Sequence, residues 1–218
     1  MNIQFESFYK VLTNTLNEYK SYQVIFLSLL KKYHIILASK SPRRRELLAG
    51  LGISFEVSVL PGINEAYPAS LPVAHIAEYI AKEKADAYRQ QMRPDDLVIT
   101  ADTIVIADDE VMGKPHDAAD ASRMLRKLSG RRHQVITGVC LTTQQEQRHF
   151  SVTTQVAFKQ LTDEEIAYYI ETYQPFDKAG AYGIQEWIGY IGVTGIDGSY
   201  FNVMGLPVQR IYTELTRL

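Results

Sequence analysis

The chain has 218 residues, 46% of them hydrophobic and 22% charged, with 13 Gly and 8 Pro, a composition that excludes disordered and fibrous chains. At roughly 150 residues per domain this length allows one large domain or two small lobes around a sizeable core. Lys and Arg total 23 against 25 Asp and Glu, a formal net charge of -2, so the basic excess that binds nucleic acid is missing and a small or polyphosphate partner fits better.

At the amino end, Phe5, Phe8, Leu12, Leu16 and Tyr19 recur at helical spacing and predict an amphipathic helix in an extension covering residues 1–32. The apolar run from Val24 to Leu30 is too short to span a bilayer, and Glu6 and Glu18 stand where a signal peptide carries basic residues, so neither a membrane span nor a signal peptide is expected. Ile35 to Ala38 reads as a short strand, and Ser41-Pro42 as the cap and first turn of a helix reaching about Leu51. A second strand is expected over Ile53 to Val59, and a long helix from about Pro72 to Met92. Leu97 to Ala107 is the strongest strand signal, turning through Asp108-Asp109 into Glu110 to Met112. Asp117 caps a helix with Ala121, Met124, Leu125 and Leu128 on one face, stopped by Gly130. Two long strands, His133 to Thr143 and Arg148 to Leu161, precede a Thr162/Glu165 capping box and a helix with Ile166, Ile170 and Tyr173 inward. Beyond Pro175 the chain reads as a Gly-rich stretch to Gly205, and Pro207 opens a last helix with Val208, Ile211, Leu215 and Leu218 inward. Strand-helix units mixed with hairpins predict an α/β fold with a mixed sheet, any division into lobes being a cleft within one sheet system. The lone Cys140 forms no internal disulfide and is too little for a structural zinc site, which points to a reducing compartment, the cytoplasm by default.

Charges on faces that ought to be apolar carry the functional signal. On the Pro42 helix, Leu47, Leu48 and Leu51 set the apolar direction; Arg44 projects into it, Arg43 flanks it and Arg45 points away. A strand-turn-helix start already favours an anion, so these arginines are read as phosphate or carboxylate binding, against the plainer reading of a solvated cluster. On the long helix Val73, Ile76, Ile80 and Ala87 mark the apolar side; Lys84 falls in its middle and Lys82 points to water. A lysine stem can snorkel from such a position, so Lys84 alone decides nothing. Asp102 sits inside Val98-Ile99-Thr100-Ala101-Asp102-Thr103-Ile104-Val105-Ile106, on the face of Val98, Ile104 and Ile106. An unpaired carboxylate there is costly: either donors compensate it structurally or it serves a site as metal ligand or base. Cations with one or two carboxylates suggest a polyphosphate held through a divalent metal, Mg²⁺ or Mn²⁺. Neither a GxxxxGK[ST] loop nor a GxGxxG fingerprint occurs, and the five histidines show no metal-ligand spacing.

Six ordered motifs run from about Tyr33 to the carboxyl end: Leu37-Ala38-Ser39-Lys40-Ser41-Pro42-Arg43-Arg44, Ala101-Asp102-Thr103-Ile104-Val105, Gly113-Lys114-Pro115, Leu128-Ser129-Gly130, Asp177 to Gln185, and Gly198-Ser199-Tyr200 through Gly205-Leu206-Pro207. Together they resemble the Maf family of nucleoside triphosphate pyrophosphatases. The resemblance implies a single catalytic unit over 33–218, with two α/β lobes flanking a cleft on an elongated twisted sheet. It implies a divalent metal, a homodimer, and links to septum formation and nucleotide-pool sanitation. Asp102 matches the family's general base; Arg43, Thr103 and Gln185 match positions of base selection, with Tyr182-Gly183-Ile184-Gln185 like the dTTP/UTP branch. Glu65, Lys84, Lys114 and Lys178 match polar positions of the cleft. Where relatives often carry an additional Asp before the Glu, this chain reads Asn64-Glu65-Ala66.

The expected chemistry is in-line attack of water on the α-phosphorus. Asp102 orients or deprotonates the water and shares the metal with Glu65, while Ser41, Arg44, Lys84, Lys114 and Lys178, with Arg43, meet the phosphate charge. Two rival readings are a purine pyrophosphatase clearing ITP or XTP and a nucleotide-sensing regulator of division that binds without turnover.

Overall fold

The computed structural model describes residues 24–218, so the helix expected from Phe5 to Tyr19 lies outside the described residues. Residues 24–30 are helical (α1), and they bury Phe26 and Leu30 in the same apolar cluster as Ile35, Leu48, Ile211 and Leu215.

Among the described residues seven strands form one mixed sheet: β1 (His34–Leu37), β2 (Glu56–Val57), β3 (Asp96–Ala107), β4 (Glu110–Met112), β5 (Arg132–Thr142), β6 (Gln147–Phe158) and β7 (Val193–Asp197). The order is β2-β1-β3-β5-β6-β7, with β4 beside β3; β2, β1 and β3 run parallel and the remaining neighbours antiparallel. The helices are α2 (Pro42–Ala49), α3 (Ile76–Tyr88), α4 (Ala118–Leu128), α5 (Asp163–Tyr173), α6 (Trp187–Gly192), α7 (Tyr200–Met204) and α8 (Val208–Leu215). This is the expected α/β fold. No helix among the described residues is long and apolar enough to cross a membrane.

The caps behave as their chemistry dictates. Ser41 and Asp117 accept the backbone N–H of Arg44 and Asp120, and Thr162 and Glu165 form the reciprocal capping box. Three expectations need correction. The strand foreseen over Ile53 to Val59 shrinks to Glu56–Val57, an exposed pair with only β1 beside it among the described residues. Ala87 is exposed, and the side of α3 that meets the sheet is Ala77, Ala81 and Ala85. The stretch from Pro175 to Gly205 holds α6, β7 and α7, elements too short to give a periodic signal.

Strand β3 belongs to two cores at once. Leu97, Ile99 and Ala101 join the cluster of β1, α2 and α8, whereas Val105 and Ala107 join that of α4, α5 and α6. Side chains of one parity share a face, so Thr103 stands on that face between the two cores. The opposite face is covered by α3, which approaches closely because its contact side is alanine and because Gly138 of β5 lies beneath it. A Cβ at Gly138 would come within 2.3 Å of backbone atoms of Ala77 and Glu78.

Candidate active site

The site follows from a gap in the sheet. Along one edge of β3, residues 96–99 pair with β1 and residues 105–107 pair with β4. Among the described residues no strand pairs with the residues between them on that side, and there the strand's burial lapses at Asp102 and Thr103 alone. A cleft of about 650 Å³ opens on this gap, within the range of small-molecule sites. Six cations line it (Lys40, Arg43, Arg44, Lys84, Lys114, Lys178) against three carboxylates (Glu65, Asp102, Asp177). A chain of slightly negative net charge therefore concentrates positive charge where an anion would sit.

Asp102 is paired with Lys84. Helix α3 runs Ile76, Ile80, Lys84, Tyr88 along one stripe, and the lysine Nζ lies 2.8 Å from Asp102 Oδ1 and 3.1 Å from Glu65 Oε1. Asp102 and Lys84 side chains are each 14% exposed, whereas Glu65, on the loop before α3, is 56% exposed. Two carboxylates thus converge on one cationic point. Among the described residues no group of three or more His, Cys, Asp and Glu side chains could hold a metal. Two carboxylates suit a hard cation that keeps water and takes substrate oxygens.

Arg44 serves the frame. Its Nε donates to Gly205 O at 2.8 Å, one terminal nitrogen to Ala101 O at 2.9 Å, and the other to Thr103 Oγ1 at 3.0 Å. The Ala101 carbonyl is one that the missing strand leaves unpaired. Burial pushes the guanidinium down from its usual range, Asp102 pulls it back up, and Arg43 lowers it again. Thr103 is similarly committed: Thr137 Oγ1 donates to Asn202 O at 3.0 Å, so the 2.9 Å contact between the two threonines has Thr103 as donor. Its oxygen then accepts from Arg44, which makes Thr103 a holder of Arg44.

The far wall comes from the segment after α5. Arg43 donates to Asp177 Oδ2 at 3.0 Å, and Lys178 Nζ lies 2.7 Å from Asp177 Oδ1 and 3.1 Å from Glu186 Oε1. Burial raises the Asp177 carboxyl, but hydrogen bonds from Lys178 and Arg43 outweigh it and hold it below the usual range. Gln185 lines the cleft, and its Oε1 is buried without a donor among the described residues. Lys114 lines the cleft on the loop after β4, with no ion-pair partner among the described residues, and Ser41 lines it with its oxygen engaged in the cap. The structure therefore brings every sequence-derived site residue to one cleft.

Asp177 heads a motif of the resemblance but had no role assigned from the sequence, and Glu186 and Tyr169 went unrecognised. Asp177 and Glu186 stand beside Gly- and Pro-containing turns where a carboxylate reads as solvated, and only Tyr169, within the buried stripe of α5, had a periodic signal available.

A family model described as Maf-like protein matches residues 34–218. A dTTP/UTP pyrophosphatase of Phocaeicola vulgatus is 68% identical over 189 residues, covering 87% of this chain and 98% of the relative. One from Bacteroides thetaiotaomicron is 59% identical over 189 residues, with 87% and 98% covered, and one from Flavobacterium johnsoniae is 46% identical over 189 residues, with 87% and 97% covered.

Proposed function

The chain belongs to the Maf-like protein family, and on that premise we propose that it is a nucleoside triphosphate pyrophosphatase acting on dTTP and UTP, releasing the monophosphate and pyrophosphate. The observation that carries this reading is the Lys84–Asp102 pair on the open edge of β3, facing a cation-lined cleft of nucleotide size. The names of the relatives do not favour the purine reading, and a base-cation pair facing the cleft has no use in a sensor that binds without turnover.

Water attacks the α-phosphorus in line, the bond from that phosphorus to the bridging oxygen of the β-phosphate breaks, and Asp102 takes the proton of the attacking water. Lys84 fixes the carboxylate and places positive charge beside the reacting phosphate. Lys114 and Lys178 offer cations to the triphosphate and departing pyrophosphate, and Arg43 is held ready for the same anion by Asp177. Ser41 keeps a hydroxyl hydrogen for a phosphate oxygen. Gln185 faces the pyrimidine's imide edge, and Arg44 and Thr103 shape the floor beneath it.

Glu65 and Asp102 are the residues that would hold Mg²⁺ or Mn²⁺; such an ion neutralises charge on phosphate oxygens. Both carboxylates already share a cation, so their donor set fits. A cytoplasmic homodimer, with residues 33–218 as its catalytic unit, completes the proposal, and sedimentation tests the dimer.

The deciding experiment is a panel of triphosphates assayed for pyrophosphate with Mg²⁺ and with Mn²⁺. Preference for dTTP and UTP is expected; preference for ITP or XTP, or binding without release, would overturn the reading. Asp102→Asn is expected to lower turnover by at least about 10²-fold with the fold intact, in line with loss of general base catalysis.

A further inference from the structure

Behind the wall that carries Gln185 lies a carboxylate outside the cavity lining. Glu186 accepts a hydrogen bond from the Tyr169 hydroxyl, and its other oxygen meets Lys178 at 3.1 Å. Tyr169 is fully buried on α5, and its oxygen accepts the Gly183 N–H at 3.0 Å. Burial first, and then the hydrogen bond and charge of Glu186, push the phenol well above its usual range, so it stays a donor. One tyrosine thus clamps both ends of the short segment from Gly183 to Glu186, with Gln185 inside it.

Gly183 shows how tightly the segment is folded. A Cβ there would lie 2.9 Å from Glu186 Cδ, 3.0 Å from Glu186 Oε2 and 3.1 Å from Gln185 Nε2. The carboxylate and the amide nitrogen therefore flank the same point, while Gln185 Oε1 is buried without a donor among the described residues. An amide's two ends have nearly the same shape, so sterics alone cannot fix which faces a ligand. A neighbouring anion can: it attracts the amide N–H groups and turns the oxygen away. Uracil presents N3–H as a donor where cytosine presents N3 as an acceptor, so an amide of fixed sense distinguishes them, whereas one free to turn over accepts both.

We propose that Tyr169 and Glu186 are positioning residues that hold the sense of the Gln185 amide and thereby set discrimination between uracil-type and cytosine rings. This inference rests on Gln185 being the base-reading residue of the proposed function. Leaving a buried hydrogen-bonding group unpaired against the wrong ring is the source of such selectivity.

The readout is the ratio of kcat/KM for UTP to that for CTP, which is independent of the fraction of folded enzyme. Glu186→Gln preserves volume and an acceptor for Tyr169 but removes the charge; Tyr169→Phe removes the clamp. Each is expected to lower the ratio about tenfold, mainly through a higher KM for UTP. In a Gln185→Ala background, Glu186→Gln is expected to leave the ratio unchanged, because the amide being oriented is gone. A ratio within about twofold of the unsubstituted value in both single variants, or an equal drop in the Gln185→Ala background, would overturn the positioning role. Glu186→Gln carries the decision should Tyr169→Phe fail to fold. Absence of pyrophosphate release from every triphosphate refutes the proposed function itself; release with a UTP preference that survives both substitutions refutes the positioning alone.

Discussion

Replacing Arg44 by lysine keeps the charge and removes the fork, and it separates a structural role from a phosphate-binding one. The guanidinium reaches three acceptors on two structural pieces: the Gly205 carbonyl after α7, and the Ala101 carbonyl and Thr103 hydroxyl of β3. A lysine ammonium concentrates its donors at one point and can meet only one of these three. Hydrogen bonds to a charged group contribute about 1.5–3 kcal/mol each. Two lost bonds, discounted because the cleft admits water to the vacated acceptors, lower stability by about 2–4 kcal/mol. For a chain of this size that is roughly 5–15 °C in Tm. Thermal and urea unfolding of Arg44→Lys measure the loss, with Arg45→Lys on the exposed side of the same helix as the control. An Arg44→Lys protein melting within about 2 °C of the unsubstituted one, with a sharply raised KM for triphosphate, would show that the guanidinium belongs to the substrate and refute the reasoning.

Gly138→Ala is expected to displace α3, since the added Cβ meets backbone atoms of Ala77 and Glu78 at 2.3 Å and backbone cannot swing aside. Overpacking of this kind costs about 1–3 kcal/mol or more, and because α3 carries Lys84, turnover should fall further than the folded fraction, as a comparison of circular dichroism with kcat would reveal. His133 predicts an acid-sensitive fold: it is 2% exposed, and burial lowers its pKa to about 4. The unfolded state binds a proton below about pH 6.5 while the folded state does not until about pH 4. Stability is then fully present above pH 6.5 and drops by about 3 kcal/mol as pH falls to 4. His133→Gln, which keeps a partner for the Tyr182 hydroxyl, should flatten the dependence of the urea midpoint over that window; an unaltered slope would assign it to other groups.

Much of the site was legible in the chain because buried charge is improbable. Arg44 and Lys84 stood on apolar helical stripes, and Asp102 interrupted a run of strand residues, so each declared a partner before any partner was visible. Local rules served equally well for the caps at Ser41, Asp117 and Thr162, since a side chain and an N–H three residues on are fixed by helix geometry alone. What escaped were α6 and α7, each with fewer than two helical turns in which to show a period, the true extent of β2, and carboxylates in turns, such as Asp177 and Glu186. A turn carboxylate looks solvated until the fold delivers its cation.

The sequence by itself determined the fold class, the order of the long elements, and which charges needed explanation, because hydrophobic period and desolvation are properties of a segment and its neighbours. Only the tertiary structure decided what each charge does. Whether Arg44 grips backbone or phosphate depends on an edge of β3 left open between β1 and β4. Whether Thr103 offers its hydrogen depends on Thr137 and Asn202, distant in the chain. These are contacts between residues far apart in sequence, set by strand register and by how closely α3 can approach Gly138, and no local pattern encodes them.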